Sequence, residues 1–581
     1  MKIKLIDPAL KDSHMRHTGK EVRSLWFPRL SLPLVAALTP ARHEVTITDE
    51  TVEALDMNEP VDLVGIGAMS TYIPRAYEIA DAYRSKGVPV VMGGIHSSFM
   101  PEEALQHADA VVVGEAENVW KKVIGDAEKG RMNGIYKSEK PADMGRIPMP
   151  RLDLLKRDRY MTANSLQTTR GCPFSCDFCS VTEFFGNTYR FRPVEDVVAE
   201  VRELKERFQA RFVAFVDDNI VGNRKYAREL FTALIPLHIK WGSQGSLTMA
   251  GDVELLKLAQ KSGCVSMFVG IESLSDETLK AANKKMNKVS EYEESIRKIH
   301  DHGIMINAGF IFGFDTDDEG VFERTVRFVE KNRITLPTYH ILTPLPGTRL
   351  FHKLQDQGRI FDYNWGKYNS GNAVFYPKLM TPETLQEGYF WAFHETYKFS
   401  SIARRVLHPQ PRLLPRIALN YGYRRIVERS PDGKIPRFSK IFNRIPEIIP
   451  SREKITAALD HTAKGAVETS AKIMDFLRIR IRKIGSEPVF QLDLQGVLDR
   501  VSARKLWSKS RQAVRQGAKI VIINFQEVRA ITPSAFKILL FKKRMIKRYK
   551  ERIKFINIDP RYAETIRGIT GFQIYHGKET H

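Results

Sequence analysis

Apolar and polar positions in the first 150 residues alternate between two periods. Short apolar runs at residues 3–6, 44–48, 63–68, 88–92 and 110–113 have the length and β-branched content of strands buried on both faces. Between two of them Ala76, Ile79, Ala80 and Tyr83 recur at helical spacing. Such alternation predicts an α/β fold built on a doubly wound parallel sheet, whose ligands sit beyond the carboxyl ends of the strands. The informative positions are therefore the loops at those ends: residues 67–71 (Gly-Ala-Met-Ser-Thr), 93–96 (Gly-Gly-Ile-His) and 114–117 (Gly-Glu-Ala-Glu).

From about residue 151 to 400 a strand-then-helix unit repeats, with strands expected at 166–169, 212–216, 240–247, 265–271, 305–312 and 339–343. Pro193 is expected to open a helix at its first position, and Val194, Val197, Val198, Val201 and Leu204 form its apolar stripe. Six units suit a partial (β/α)6 barrel, with the chemistry again at the carboxyl ends of the strands. Residues 401–475 read as a basic helical extension and linker, rich in Pro and Arg, with a helical pattern at 452–476. Ile402, Val406 and Leu407, with Arg404, Arg405, Arg412 and Arg416, suit either a basic amphipathic surface for anionic lipid or a helical cap packed on the barrel. Residues 476–581 form a separate small α/β unit. A hairpin of residues 477–481 and 489–494 turns at Gly485, and strands at 519–525 and 554–558 alternate with helices from Val501, from Pro533 and at the end.

The chain has four cysteines, and Cys172, Cys176 and Cys179 stand in the spacing C-x3-C-x2-C within Thr-Thr-Arg-Gly-Cys-Pro-Phe-Ser-Cys-Asp-Phe-Cys. A cubane of four irons held by only three protein thiolates keeps one iron open for a further ligand. A structural zinc site wants four close ligands, and a ferredoxin-type carrier wants a fourth nearby thiolate. Cys264 is far away, in the apolar run Cys-Val-Ser-Met-Phe-Val, and reads as a small core hydrophobe. Size and low cysteine content exclude a disulfide framework and point to a reducing compartment.

The cysteine spacing resembles the radical S-adenosylmethionine (radical SAM) superfamily, whose aromatic before the third cysteine is matched by Phe178. The resemblance implies a [4Fe-4S] cluster whose open iron binds the amino and carboxylate groups of SAM, and whose electron releases a 5′-deoxyadenosyl radical. Later segments follow in the family's order. Asp217 and Asp218, in Val-Asp-Asp-Asn, take the place of the segment that contacts the SAM amino group. Gly270, Glu272 and Ser273, in Gly-Ile-Glu-Ser, take that of the ribose and carboxylate segment. Gly309 and Ile311 resemble the strand flanking the adenine, and Pro-Leu-Pro-Gly-Thr at 344–348 matches a further family loop.

The Gly65-x-Gly67-x-x-Ser70 segment is only a partial dinucleotide fingerprint, because its first glycine lies inside a strand and its third position is serine. The succession of strand ends instead resembles the N-terminal cobalamin-binding domain of many radical SAM enzymes. On that resemblance Gly93, Gly94, Gly114 and Glu115 approach the cofactor, and Ser70 and Thr71 hydrogen-bond its nucleotide tail. No Asp-x-His-x-x-Gly is present, so His96 is expected to be a loop residue and not a cobalt ligand; a Rossmann-like domain that has lost cobalamin is the alternative. The C-terminal unit resembles a STAS domain. Thr532-Pro533-Ser534-Ala535 replaces the Asp-Ser-Ser-Gly of anti-sigma-factor antagonists, so plain partner binding is expected in place of a phosphoserine switch.

Length and charge add location and partners. A chain of 581 residues suggests three or four domains, and neither a signal peptide nor a run of about 20 apolar residues is present, so a cytoplasmic protein is expected. Residues 401–581 hold 39 Lys+Arg against 15 Asp+Glu (+24), whereas residues 1–400 hold 51 against 53 (−2). The basic remainder is expected to attach the enzyme peripherally to an anionic membrane face or to a protein partner, nucleic acid being disfavoured. The expected activity is cobalamin-dependent radical methylation of an unactivated carbon, with the electron drawn from a flavodoxin- or ferredoxin-like protein and a lipid-like substrate favoured. The alternatives are a radical oxidative cyclase or rearrangement enzyme, and a regulatory or scaffolding protein centred on the STAS-like unit.

Overall fold

The computed structural model describes residues 1–10, 27–407 and 411–428, together with Leu506 and the strands at 478–484, 489–498, 520–531, 553–556 and 574–575. The chain divides into two compact units, Met1–Ile449 and Pro450–His581.

The first sheet contains β1 (Lys2–Asp7), β2 (Glu44–Asp49), β3 (Leu63–Gly67), β4 (Val90–Gly93), β5 (Ala110–Val113) and β6 (Gly134–Lys137). All six are parallel, in the order β2-β1-β3-β4-β5-β6, so the winding reverses between β1 and β3, where open α/β sheets take their ligands. Strand β6, Gly-Ile-Tyr-Lys, escaped the sequence reading because only Tyr136 of its four residues is buried and no alternation shows. Side chains leave this sheet on both faces. Val64, Ile66, Val90 and Met92 pack on Ile73, Ala76, Ile79 and Ala80 of helix Ile73–Arg84. Ile3, Leu5, Leu63 and Val91 pack on the other side with Trp120 and Val123, in a core that continues unbroken into the second sheet.

After β7 (Ser165–Leu166) the chain leaves that second sheet to form a small antiparallel pair, β8 (Thr169–Arg170) with β9 (Arg190–Phe191). The expected strand at 166–169 is thus divided between two sheets. The barrel strands β10 (Phe212–Phe215), β11 (Lys240–Gly245), β12 (Cys264–Glu272), β13 (Met305–Phe312) and β14 (Leu336–Ile341) follow, giving an open parallel sheet in the order β14-β13-β12-β11-β10-β7. Along β13 the residues Ile306, Ala308, Phe310 and Phe312 are buried against the outer helices, whereas Met305, Asn307 and Ile311 on the opposite face stay partly accessible. That opposite face lines the concave interior of the half-barrel. Pro193 caps helix Val194–Phe208 from outside, with ψ 135°, and does not occupy its first turn.

Helices Pro382–Thr396, Phe399–Val406 and Leu413–Glu428 close the outer side near β14. Arg405 is fully buried there and donates to the carbonyls of Ile334 (2.9 Å), Thr335 (3.2 Å) and Thr396 (2.9 Å) and to Asn420 Oδ1 (3.0 Å). Arg416 is equally buried and donates to the Arg405 carbonyl, Arg412 donates to the Gly303 carbonyl, and Arg404 pairs with Glu330. These four arginines therefore do not make a lipid-facing basic stripe. They are spent on carbonyls and a carboxylate of the barrel, and the cap is the arrangement adopted.

In the second unit, β15 (Arg478–Ile484) and β16 (Val489–Leu498) form the expected antiparallel hairpin, and β17 (Ile520–Ile531), β18 (Ile553–Ile556) and β19 (Ile574–Tyr575) add in parallel. The helices expected between these strands, residues 532–535 and the pattern at 452–476 lie outside the described residues.

One close approach in the first sheet gives a direct test. Gly94 has φ 93°, and a Cβ on it would lie 2.7 Å from the Ala68 carbonyl oxygen and 2.9 Å from the Ala68 nitrogen. Gly94→Ala is expected to cost about 2 kcal/mol or more through backbone strain and forced separation of the two loops. Thermal unfolding followed by circular dichroism measures this, and an unchanged melting temperature would refute it.

Candidate active site

The cysteine loop begins at a tight crossing and is pinned from three directions. Gly171 has φ 82°, and a Cβ there would fall 2.2 Å from the Thr188 carbonyl oxygen, so only glycine passes beneath that segment. From the end of β10, one carboxylate oxygen of fully buried Asp217 accepts four bonds of 2.5 to 3.0 Å, from the amides and hydroxyls of Thr168 and Thr169. Asp217 was expected to face SAM; its Oδ1 braces the two residues that lead into the loop, while its Oδ2 is buried without a hydrogen-bond partner. From the segment after helix Asp276–Ala281, the Ala282 carbonyl accepts from the Asp177 amide (3.1 Å), and Asn283 donates to the Ser175 carbonyl (2.6 Å). From the loop after β14, Arg349 donates to the carbonyl and hydroxyl of Ser175 (2.5 and 2.6 Å) and pairs with Asp177 at 3.3 Å.

Burial pushes all three loop thiols up, Cys176 to about 11. Each senses Lys284, and Asn219 points its amide nitrogen at Cys172 Sγ from 4.0 Å. Asp218 is pushed up to about 7, first by burial and then by Asp217. Phe178 stands edge-on to Phe314 at 6.0 Å, with the Lys284 ammonium 6.0 Å from its ring centre. Among the described residues no group of His, Cys, Asp or Glu side chains converges tightly enough for a single metal ion. Three thiols on one loop suit a polynuclear cluster, which ligates through thiolates on separate irons. Cys264 lies at the opposite end of β12, buried, its thiol raised to about 12 and donating to the Ser266 carbonyl.

The other barrel strand ends converge on the same space. Glu272 adopts φ 65° and accepts from Lys284 Nζ at 2.8 Å. Burial opposes the charge on Lys284, but Glu272 and the thiols Cys176 and Cys179 outweigh it and raise its pKa. Asn287 and Tyr292 donate to the Gly270, Ile271 and Ser273 carbonyls and fix this turn, while the Ser273 hydroxyl is taken up by the Ser275 amide. Gly309 pairs with Gly270 and Thr338 in the centre of the sheet, and Ile311 beside it lines the interior. His340 on β14 also senses Glu272, and burial lowers its pKa. Lys284 and Arg349 were not anticipated, and Asn219 only as part of the Val-Asp-Asp-Asn segment. Their signals were present as Asn-Lys after Gly-Ile-Glu-Ser, Asn after the Asp pair, and Arg after Pro-Gly-Thr.

At the first sheet the expected side chains are occupied by protein partners. Ser70 Oγ bonds His96 Nδ1 (3.0 Å), and His96 is fully buried with Nε2 3.3 Å from Glu103, so it is withdrawn from any cobalt. Thr71 donates to the Gly366 carbonyl at 3.5 Å. Gly94 is required by its own neighbour Ala68, as above. What remains open is backbone: a Cβ on Gly93 would meet nothing nearer than 3.7 Å, and one on Gly114 nothing within 4 Å.

Glu115 has a different employment from the one expected. It accepts from Arg170 (2.5 Å) and Arg190 (2.9 Å) and from the Ala142 amide (2.9 Å), while Glu117 pairs with Arg170 at 2.6 Å. Arg170 immediately precedes Gly171, so the loop after β5 grips the entry to the cysteine loop. Phe99, from helix Ile95–Phe99, meets Phe184 of helix Ser180–Phe185 edge-on at 6.4 Å and adds an apolar contact between the same two regions.

Two family models match this division: the Radical SAM superfamily over residues 166–329 and the B12 binding domain over residues 20–124. Over 410 residues the chain is 34% identical to bacteriochlorophyllide d C-12(1)-methyltransferase of Chlorobaculum tepidum, covering 69% of this chain and 88% of that protein. The chain belongs to the cobalamin-dependent radical SAM methyltransferase family. A second relative in this family, bacteriochlorophyllide d C-8(2)-methyltransferase of the same organism, is 31% identical over 68% of this chain and 91% of its own length. The solved structure of the cobalamin-dependent SAM radical enzyme OxsB with aqua-cobalamin and SAM bound shares the fold at TM-score 0.54 and 14% identity, covering 81% of each chain.

The protein is thus a radical SAM enzyme whose cofactors are a [4Fe-4S] cluster, SAM and cobalamin, and enzymes of this superfamily need a reductant. The residues present fit them. Three thiols without a fourth match a cubane with one open iron. Gly93 and Gly114 leave, at the carboxyl edge of the first sheet, the cradle that a bulky planar cofactor requires.

Replacing Cys172, Cys176 or Cys179 with Ala is expected to abolish reductive SAM cleavage, whereas Cys264→Ala retains it within about twofold, since the substitution only trims a buried side chain. Chromatographic measurement of 5′-deoxyadenosine decides, and loss of cleavage in a Cys264→Ala protein that still carries its cluster would refute the assignment. Glu115→Gln leaves Arg170 and Arg190 buried with less countercharge and is expected to cost about 3 kcal/mol. It should also speed amide hydrogen exchange across residues 168–179; unaltered exchange there would show that the grip does not order the loop.

Proposed function

We propose that this enzyme methylates an unactivated carbon of a large, apolar, tetrapyrrole- or lipid-like substrate. The observation that carries the reading is the shared use of Arg170: the loop beside the Gly93 and Gly114 cradle and the loop of the three cysteines are gripped by one buried cation. Both relatives named above act on bacteriochlorophyllide d, which supports a bulky apolar substrate.

When bound, the cluster supplies an electron to SAM for radical formation and cobalamin supplies the methyl group. The chain's own residues place and insulate these groups. Lys284, held protonated between Glu272 and the thiols, faces the place of the SAM carboxylate, with Gly270 and Glu272 beside the ribose. Gly309 and Ile311 leave a flat apolar wall for the adenine, and Phe178 packs behind the third cysteine. Asp218 and Asn219 lie next to Cys172, where the SAM amino group is expected. Asp217 acts one step back by holding Thr168 and Thr169. A flavodoxin- or ferredoxin-like protein delivers the electron, and the C-terminal unit, whose described strands form a mixed five-stranded sheet, acts as a STAS-like partner-binding module.

Anaerobically reconstituted enzyme is expected to hold about four irons per chain. Given reduced flavodoxin, cobalamin and methyl-labelled SAM, it should transfer label to a component of an organic-solvent extract of cells lacking the enzyme. Formation of 5′-deoxyadenosine with an altered but unlabelled product would replace methylation by a radical cyclisation or rearrangement.

A further inference from the structure

Helix Leu413–Glu428 is built inside out. Its fully buried positions are polar: Arg416 and Asn420 are fully buried, Asn420 donates to the Thr335 carbonyl at 2.8 Å, and Arg424 donates to the Tyr397 carbonyl at 2.8 Å, while Tyr423 stacks on Tyr397 beside them. Its outward positions are apolar: Leu414 is 57% exposed, Ile417 37% and Tyr421 42%, with Leu413 at 40% on the flank and Leu407 at 63% just before the helix. Leu414, Ala418, Tyr421 and Arg425 follow one another at helical spacing, so a single face runs from leucine to arginine, and the Arg425 guanidinium lies 5.3 Å from the Tyr421 ring centre. A helix whose polar side is consumed by the barrel and whose apolar side faces outward has the opposite polarity from a helix that serves only to cover a core.

Charge selects the occupant. Arg404, Arg405, Arg412, Arg416 and Arg424 are spent on the protein, but Arg425 on this face and, in the sequence that follows, Arg429, Lys434, Arg437, Lys440 and Arg444 stand against only Glu428 and Asp432. An apolar helical face ending in tyrosine and arginine, followed by a basic segment, matches the surface of an anionic bilayer, where apolar residues enter the acyl boundary and cations meet the headgroups. No helix among the described residues is long and apolar enough to cross a membrane, so the contact is one of surface attachment.

We propose that the outward face of Leu407, Leu413, Leu414, Ile417 and Tyr421 seats the enzyme on an anionic lipid bilayer. The four arginines Arg404, Arg405, Arg412 and Arg416 are not the anchor; the apolar residues around them are. The test is co-sedimentation of the full, cofactor-loaded chain with vesicles of phosphatidylcholine and phosphatidylglycerol, and with vesicles of phosphatidylcholine alone. Binding is expected to the anionic vesicles, to fall as salt rises, and to drop at least about tenfold in the double variant Leu414→Glu, Ile417→Glu through lost apolar burial. Both substitutions are at exposed positions, so thermal unfolding and reductive SAM cleavage should match the parent and show that the variant is folded. Wild-type protein left in the supernatant at low salt overturns the proposal, as does equal binding by the double variant. A wild-type dimer that the double variant dissociates in light scattering, with no vesicle binding, assigns the face to a second copy and overturns it too.

Discussion

Arg170 is the constraint on which the arrangement of the first unit depends. It lies in a short strand that has already left the barrel sheet, directly before the glycine that opens the cysteine loop, and its guanidinium is buried between two carboxylates from another sheet. A buried arginine with one partner removed is an uncompensated charge, so the cost of separating the two sheets falls on the loop that carries the cysteines. Arg190, across the β8–β9 pair, shares Glu115 and extends the same ion cluster. Placement of the cysteine loop and docking of the cobalamin-binding domain are therefore one energetic event.

Around that junction the mouth of the barrel is a concentration of buried ionisable groups that do not neutralise one another in simple pairs. Asp217 spends one oxygen on four donors, Asp218 is left to be raised by burial, and Lys284 keeps its charge through Glu272 and the nearby thiols. Burial raises the pKa of all three thiols, so binding of metal there draws protons off them. Cys264, with a thiol raised further and no route to this space, shows the same residue type used as packing.

Away from the site, arginine serves structure more than it serves surface charge. Arg405 satisfies the Ile334 and Thr335 carbonyls at the end of the barrel and the Thr396 carbonyl of the cap, and Arg416 satisfies the Arg405 carbonyl in turn, a task that a planar donor of five N–H groups performs in a way lysine cannot. Filling the interior side of helix Leu413–Glu428 with these groups leaves leucine, isoleucine and tyrosine on its exterior. The net charge of the C-terminal third is consequently a poor guide to which side chains meet solvent.

Features with a local period or a fixed spacing were legible without coordinates: the five recognised strands of the first sheet, the six strand–helix units, the cysteine triplet, and the order of the Asp-Asp-Asn, Gly-Ile-Glu-Ser and Gly-Phe-Ile-Phe-Gly segments. Strand β6 was not, being too short and too exposed to alternate, and Pro193 was misplaced by one position because a cap and a first turn share the same φ. Roles that need a partner from elsewhere in the chain were hidden altogether. Glu115 reads as a ligand residue at a strand end until Arg170, 55 positions away, is seen against it, and Asp217 reads as a SAM contact until Thr168 and Thr169 claim it. The arginines of residues 404–416 read equally as a surface stripe or as part of a cap, and only the carbonyls at Ile334, Thr335 and Thr396 for Arg405, and at Arg405 for Arg416, turn two of them inward. By itself the sequence determined the order of the main strands, the cysteine spacing and the family, all of which are written in short contiguous segments. Tertiary structure decided which polar groups are spent on the protein and which remain for cofactor, substrate or membrane, because burial and hydrogen-bond pairing depend on distances that no local pattern encodes.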